Sequence, residues 1–415
     1  MSGPTATVEC MLILHTSDWH IGRSFHGTGM LDAQREVLAQ MAQTVQDQGV
    51  DLVLVSGDVY DRALPSADAV QVLDEALAGL LRAGAQVVLT SGNHDSAVRL
   101  GFGGALMAAA GVHVRTRAEQ ITEPIVLPDP DGGSVAVYGV PYLEPRHQGQ
   151  AWGVEPHHTA VMQEALDRIR ADAATRRDEH PGGLCTVVMA HLFAAGGAGS
   201  ESERDIGAEA PEQTGSPDDG HSPQVGGLGQ VPLRVFDGID YTALGHLHGR
   251  QRLSPTVRYS GSPLPYSFSE HTHLKGGLLI STGGGAVRKI EEVEWQAGRA
   301  LAVLRGELET LLSDPELAWA EDAWCQITVT DEVRPPQAYP RLKDRFPGLL
   351  NFILAPAGGP RRTTGTYAER IQKAQGDDLA LCTGFVEHVR GRPASPGETE
   401  LLREALDDAR TEVTA

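Results

Sequence analysis

Cysteine is scarce in this chain and never paired. Cys10, Cys185, Cys325 and Cys382 stand far apart with no Cys-x-x-Cys among them, which argues against a zinc ribbon or a disulfide framework and fits a reducing, cytoplasmic compartment. No apolar run approaches the roughly 18 residues needed to span a bilayer, so no membrane association is expected. Residues 1–10, MSGPTATVEC, have neither a basic start nor an apolar stretch, and read as an extension, not a secretory signal. Nothing matches G-x-x-x-x-G-K-S/T, so the chain carries no P-loop of its own. There is no fixed-period repeat. Positive charge is also short: 34 Lys and Arg face 55 Asp and Glu, for a net charge of −21. Holding nucleic acid requires local Lys and Arg that displace counterions. A large nucleic-acid footprint made by this chain alone is therefore disfavoured, unless a local basic rim or a partner supplies the grip.

What is present is an ordinary globular composition, 41% hydrophobic and 21% charged. At 415 residues the chain has room for two or three domains at about 150 residues each. Short apolar runs alternate with helical stretches through the first 280 residues, the rhythm of an α/β domain. Strands are expected at Met11–His15, Asp51–Ser56, Gln86–Thr90, Val135–Val140, Cys185–Ala190 and Tyr241–Leu244. Helices are expected at Asp32–Asp47 and Ser66–Ala83. Residues 196–230 break the rhythm with Gly, Ser, Pro and acidic side chains, a composition that buries too little surface to offset its ordering entropy. Past Glu294 the pattern changes to a small α+β unit, with a helix over Leu301–Leu312, a strand over Trp324–Thr330, a helix over Ala338–Phe346 and a strand over Leu349–Leu354. A helical tail follows from Asp378 to Arg410, interrupted at GRPASPG. Gly283–Gly285 reads as a turn after a strand, not a phosphate cradle.

Five short motifs stand at or just beyond the C-terminal ends of expected strands. They are Asp18-Trp-His20, Gly57-Asp58 with Asp61, Gly92-Asn93-His94-Asp95, His191, and Gly245-His246-Leu-His248. In an open α/β sheet ligands bind outside the carboxyl ends of the strands, so five strands would deliver Asp, His and Asn side chains to one rim. Carboxylate, amide and imidazole donors without thiolate suit Mn²⁺, Mg²⁺ or Fe²⁺ better than structural zinc. Asp18, His20, Asp58, Asn93, His191, His246 and His248 exceed what one cation uses. They match two ions roughly 3.5–4 Å apart sharing one carboxylate, for which Asp58 is the candidate. Each motif alone is weak, since Asp-x-His is common and a lone Gly-His is usually structural. Their order and placement together carry the inference. His15, His26, His113, His157, His158, His221, His271 and His273 lack that context and read as surface or core residues. Arg23 and Arg62 are placed near the rim for phosphate contact, although an exposed Arg is more often only solvated.

In this order the five motifs resemble the calcineurin-like metallophosphoesterases. Within that superfamily HTSDWHIGR, SGDVYDRALPSADAV, LTSGNHDS, SERDIG, ALGHLHGRQ and YSGSPLPYSFSE are similar to the SbcD family, the nuclease subunits of bacterial double-strand-break exonucleases. The resemblance implies an α/β fold, a metallophosphoesterase β-sandwich flanked by helices over residues 11–295. It implies a DNA-capping α+β domain at 296–360 and a helical tail at 361–415 that binds the coiled-coil base of the SbcC ATPase. It assigns one cation to Asp18, His20, Asp58 and His248, and the other to Asp58, Asn93, His191 and His246, with Mn²⁺ as the expected metal. His94 would face the scissile phosphate, and Asp61 and Asp95 would fix neighbouring histidines. The implied activity is 3′→5′ exonuclease and hairpin endonuclease cleavage of duplex and hairpin DNA, by a homodimer within a heterotetramer of two SbcC and two SbcD subunits. The acidic stretch around Ile206–Pro223 is longer than that family's usual connection. Two other readings stand beside this one: the same chemistry on a small phosphodiester, phosphomonoester or phosphoprotein, and a metal-binding scaffold for an ATPase. The acidic charge favours the small substrate; the separate C-terminal unit does not. An intact His94 and a complete ligand set argue against the scaffold.

Overall fold

A computed structural model describes residues 10–203, 229–356, 377–390 and 393–413. Most of the N-terminal extension, the core of the acidic stretch and residues 357–376 lie outside the described residues. The chain divides into two compact units, with the second taking over at Leu301.

The first unit is built on strands too apolar to leave either face in water. Leu52–Ser56 is buried at every position, as expected of a parallel strand covered on both sides. It lies between Leu12–Thr16 and Gln86–Thr90, and all three run parallel. Val112–Arg115 extends the sheet on one side, and Gly276–Gly283 and Ala286–Glu294 add antiparallel to the other, making six strands. A second six-stranded sheet carries Ser134–Gly139, Leu184–His191, Tyr241–Gly245 and Val257–Tyr259 in parallel, edged by Ile125–Pro128 and Gln251–Arg252.

The two sheets meet face to face. Ile13, Leu54 and Val88 of one share a buried cluster with Val137, Val187 and Ala243 of the other. Burying such a side chain contributes about 1.5–3 kcal/mol, so this layer dominates the cohesion of the unit. Helix His158–Glu179 covers the outer face of the second sheet through Val161, Leu166 and Ile169. Helices Leu31–Gln48 and Ala67–Arg82 lie against each other beside the first sheet. Their buried residues, Val37, Leu38, Met41 and Val45 in one, follow the helical period. Ser66 caps the second by accepting from Ala69 N at 3.2 Å. The unit is thus a β-sandwich flanked by helices. Gly284 and Gly285 take positive φ in the turn joining Gly276–Gly283 to Ala286–Glu294.

The second unit holds three parallel strands, Leu301–Gly306, Trp324–Val329 and Leu349–Leu354. The helix expected over Leu301–Leu312 is corrected: its first half is a strand, and only Leu308–Ser313 is helical. Ala302 and Leu304 are buried while their neighbours are not, a period of two that a helical reading of the leucines conceals. The strands are joined through helical crossovers, so the unit is an α/β arrangement. Its core includes Ile327, Leu342 and Phe346. The tail forms two helices, Asp378–Arg390 and Pro396–Val413, in contact with each other.

Candidate metal centre

The five motifs follow the ends of five parallel strands, three in one sheet and two in the other. The loop after Leu12–Thr16 leans on the loop after Leu52–Ser56: Asp18 N donates to Gly57 O at 3.1 Å and His20 N to Asp58 O at 2.9 Å. This pairing demands unusual backbone. Asp18, His20, Asp58 and His246 have φ of 54°, 43°, 49° and 108°, a region that costs an L side chain about 1–3 kcal/mol and that gathers where function holds it in place. Glycine is needed where the loops close up. A Cβ on Gly57 would lie 2.3 Å from His191 Nδ1, and one on Gly92 would lie 2.1 Å from Asp58 Oδ1.

Asp58 is the hub. His191 Nε2 lies 3.3 Å from its Oδ2, His20 Nε2 3.6 Å and His94 Nε2 3.9 Å, while His94 N donates to Oδ1 at 2.9 Å. Asp18 accepts from Ser17 Oγ at 2.6 Å and from His246 N at 3.0 and 3.1 Å. Three buried triads bring ligand atoms within 4.8 Å of one another: Asp18, His20 and His248; His20, Asp58 and His94; and Asp18, Asp58 and His191. Asn93 Oδ1 touches His191 Nε2 at 3.0 Å, and the His246 ring lies edge-on to that of His191, 5.3 Å between centroids. All seven residues expected to be ligands converge here.

The donor set fits divalent cations. His191 Nδ1–H donates to Ser56 O at 3.0 Å, which leaves Nε2 facing Asn93 Oδ1 and Asp58 Oδ2, both acceptors. His20 Nε2 and His248 Nε2 face each other at 3.1 Å. Acceptors converging in a buried site need a proton or a cation between them. Burial lowers the pKa of His20 and of His248 to about 4, and holds that of His246 well below the usual value, leaving the neutral imidazoles that ligation requires. For His191 burial is outweighed by Asp58, which lifts it to about 9. Burial pushes Asp18 up to about 7. Burial works the same way on Asp58, but His191 and His20 hold it well below the carboxylate range.

His94 is held differently. Its Nδ1–H donates to the Asp61 carbonyl at 2.8 Å, which leaves Nε2 as the atom nearest Asp58 Oδ2. The Asp61 carboxylate lies 3.6 Å from His20 Nδ1. Asp95 departs from the expected role. Its carboxylate accepts Val59 N, Tyr60 N and Gly92 N at 2.9–3.0 Å, tying the loop of Asp58 to that of Asn93. The reason is its place behind the turn, where three backbone donors have no other partner. Arg23 is largely enclosed: it donates to Ser202 O at 2.8 Å, lies 3.5 Å from Asp61 and stacks over Tyr266. Arg62 is 76% exposed, 3.6 Å from Asp61 Oδ2.

Of the histidines set aside, His15 is fully buried between the sheets, accepting from the Tyr241 hydroxyl and donating to Leu244 O. His157 caps a helix, and His221 lies outside the described residues. Sequence reasoning missed Gln34, whose amide donates to His20 O at 2.8 Å and accepts Gly22 N at 3.0 Å. Its signal was a polar residue on the buried stripe of a helix. It also missed Ser202, Glu203, Glu270 and Lys275, which surround His248.

Comparison with known proteins gives a match to the calcineurin-like phosphoesterase family over residues 11–250. Among solved structures, the chain is similar to TT1561 of Thermus thermophilus at 14% identity, over 69% of this chain and 99% of that one, with a TM-score of 0.37. It is also similar to the purple acid phosphatase PPD1 from yellow lupin (Lupinus luteus) seeds at 13% identity, over 69% of this chain and 54% of that one, with a TM-score of 0.34. No described helix is long and apolar enough to cross a membrane.

Proposed function

This chain belongs to the calcineurin-like phosphoesterase family, a family of metal-dependent hydrolases, and from that premise we propose that it is a two-cation DNA nuclease of the SbcD kind. The observation that carries the two-cation reading is the placement of Asp58 between His20 on one side and His191 on the other. Asp18, His20, Asp58 and His248 would hold one cation, and Asp58, Asn93, His191 and His246 the other, with Mn²⁺ suited to this donor set. When bound, the cations supply charge neutralisation at the phosphate and acidify water.

The residues do the rest. Asp61 O engages Nδ1–H of His94, so Nε2 is the atom that would meet the phosphate, and in the imidazolium form it would pass its proton to the leaving oxygen. Asp61 steadies the His20 ring, and Asp95 keeps the two loops in register. Arg62 would track the phosphate backbone, whereas Arg23 braces the site wall.

DNA is the proposed substrate because the SbcD-like stretches extend well beyond the metal motifs and a separate unit and tail follow the sandwich. The tail helices would dock on the SbcC ATPase, and the working assembly would be a cytoplasmic heterotetramer. A homodimer is supported by Val98, Phe102 and Leu106, each more than 80% exposed in the segment after the Asn93–Asp95 loop. A stripe of that kind is expected to be covered. Phe102→Asp is then expected to halve the mass in light scattering; a wild-type chain that is already monomeric would remove the dimer from the proposal.

The net charge of −21 favours a second reading, a small phosphodiester or phosphoprotein. Purified protein assayed on linear duplex, hairpin DNA and a chromogenic phosphodiester, with Mn²⁺ or EDTA and with or without SbcC and ATP, separates the two. Mn²⁺-dependent DNA degradation stimulated by SbcC is expected. Intact DNA under every condition, with the small diester cleaved, would leave the phosphoesterase and end the nuclease.

A further inference from the structure

His248 is gripped at three points, and two of them come from one short segment. Glu203 Oε1 accepts His248 N at 2.7 Å, and Ser202 Oγ lies 2.6 Å from His248 Nδ1. The third grip is Lys275, whose ammonium donates to His248 O at 2.9 Å. Ser202 also touches Glu270 Oε1, and Lys275 pairs with the other oxygen of Glu270 at 2.5 Å. Glu270 is 1% exposed and Lys275 8%, so this is a buried charge pair with its hydrogen bonds filled.

The hydroxyl has one proton and three neighbours; the third, Ser200 Oγ at 2.8 Å, has an acceptor of its own in Glu203 Oε2. Glu270 paired with Lys275 is an acceptor only, so the Ser202 proton goes to Glu270. Ser202 Oγ must then accept from His248 Nδ1–H. That leaves the Nε2 lone pair as the outward atom, 3.1 Å from His20 Nε2 and inside the triad with Asp18. Direct contact does not do this work, because His248 Nδ1 is 3.5 Å from Glu270. The serine is an inserted link in a carboxylate–histidine pair, and groups in that position set the tautomer and aim of a metal-binding ring.

We infer that Ser202 is a positioning residue for the cation site, coupling Glu270 to His248 and presenting His248 Nε2 for ligation, with Glu203 fixing the same ligand by its backbone. This inference rests on the reading of the site as a metal centre. It adds that the stretch Ser200–Glu203, outside every metal motif, controls how tightly the Asp18–His20–His248 position takes its ion.

The test is calorimetric titration of the full chain with Mn²⁺, alongside thermal melting of the metal-free protein. Ser202→Ala is expected to weaken one class of site by about 10- to 100-fold, with the metal-free melting curve close to wild type. The isosteric pair Ser202→Thr and Ser202→Val serves if the alanine form does not fold: threonine should recover binding and valine should not. Equal affinity in the threonine and valine forms, or wild-type affinity in the alanine form, would overturn the role of Ser202. Absence of Mn²⁺ binding by the wild type would instead overturn the metal-centre reading, so the two failures are distinguishable.

Discussion

Asp58→Asn is expected to abolish tight binding of at least one cation and to lower kcat/KM by at least about 10²–10³-fold, the cost of removing one preorganised charge from such a site. The substitution is nearly isosteric, and its partners tolerate it. The amide oxygen can still accept His94 N, which lies 2.9 Å from Oδ1. The amide nitrogen can donate to His191 Nε2, which lies 3.3 Å from Oδ2. The fold therefore survives while the shared negative charge is lost. Metal analysis after desalting and a thermal melt separate the two effects. A variant that retains two ions per chain and near-normal turnover would show that Asp58 is not the shared ligand.

His94→Ala should act on rate and not on metal content. Removing a positioned proton donor costs about 10²–10⁴-fold in kcat, whereas Asp18, His20, Asp58, Asn93, His191, His246 and His248 all remain to hold the cations. KM should change little. The geometry keeps a rival in view, because His94 Nε2 shares a triad with His20 and Asp58. If the alanine variant lost an ion together with its activity, His94 would be a ligand and the proton would have to come from elsewhere. Unchanged kcat would remove His94 from the chemistry altogether.

Much of the site was legible because its residues are confined to strand ends. An Asp or His after a run such as Leu52–Ser56, buried at every position, has few places to be other than the rim. The strands with strong apolar patterns were likewise readable to within a residue or two. The antiparallel edge made by Ala286–Glu294 was not, because most of its side chains face solvent and alternate among charges. Leu301–Gly306 was misread because a leucine-rich run supports either period, and only the neighbouring strand Trp324–Val329 decides which is used. Gln34, Ser202 and Lys275 were illegible as functional residues for another reason. Their partners, His20, His248 and Glu270, are brought to them by tertiary packing and not by any local spacing.

The candidate cation ligands straddle the seam between the sheets. Asp18, Asp58 and Asn93 come from one side, and His191, His246 and His248 from the other. Neither half owns a complete set of donors. The centre is consequently a gauge of alignment: a slip of an ångström between the sheets would part Asp58 from His191 while every strand kept its hydrogen bonds. In the proposed enzyme catalysis would depend on registry between two layers, and would be lost before either layer is.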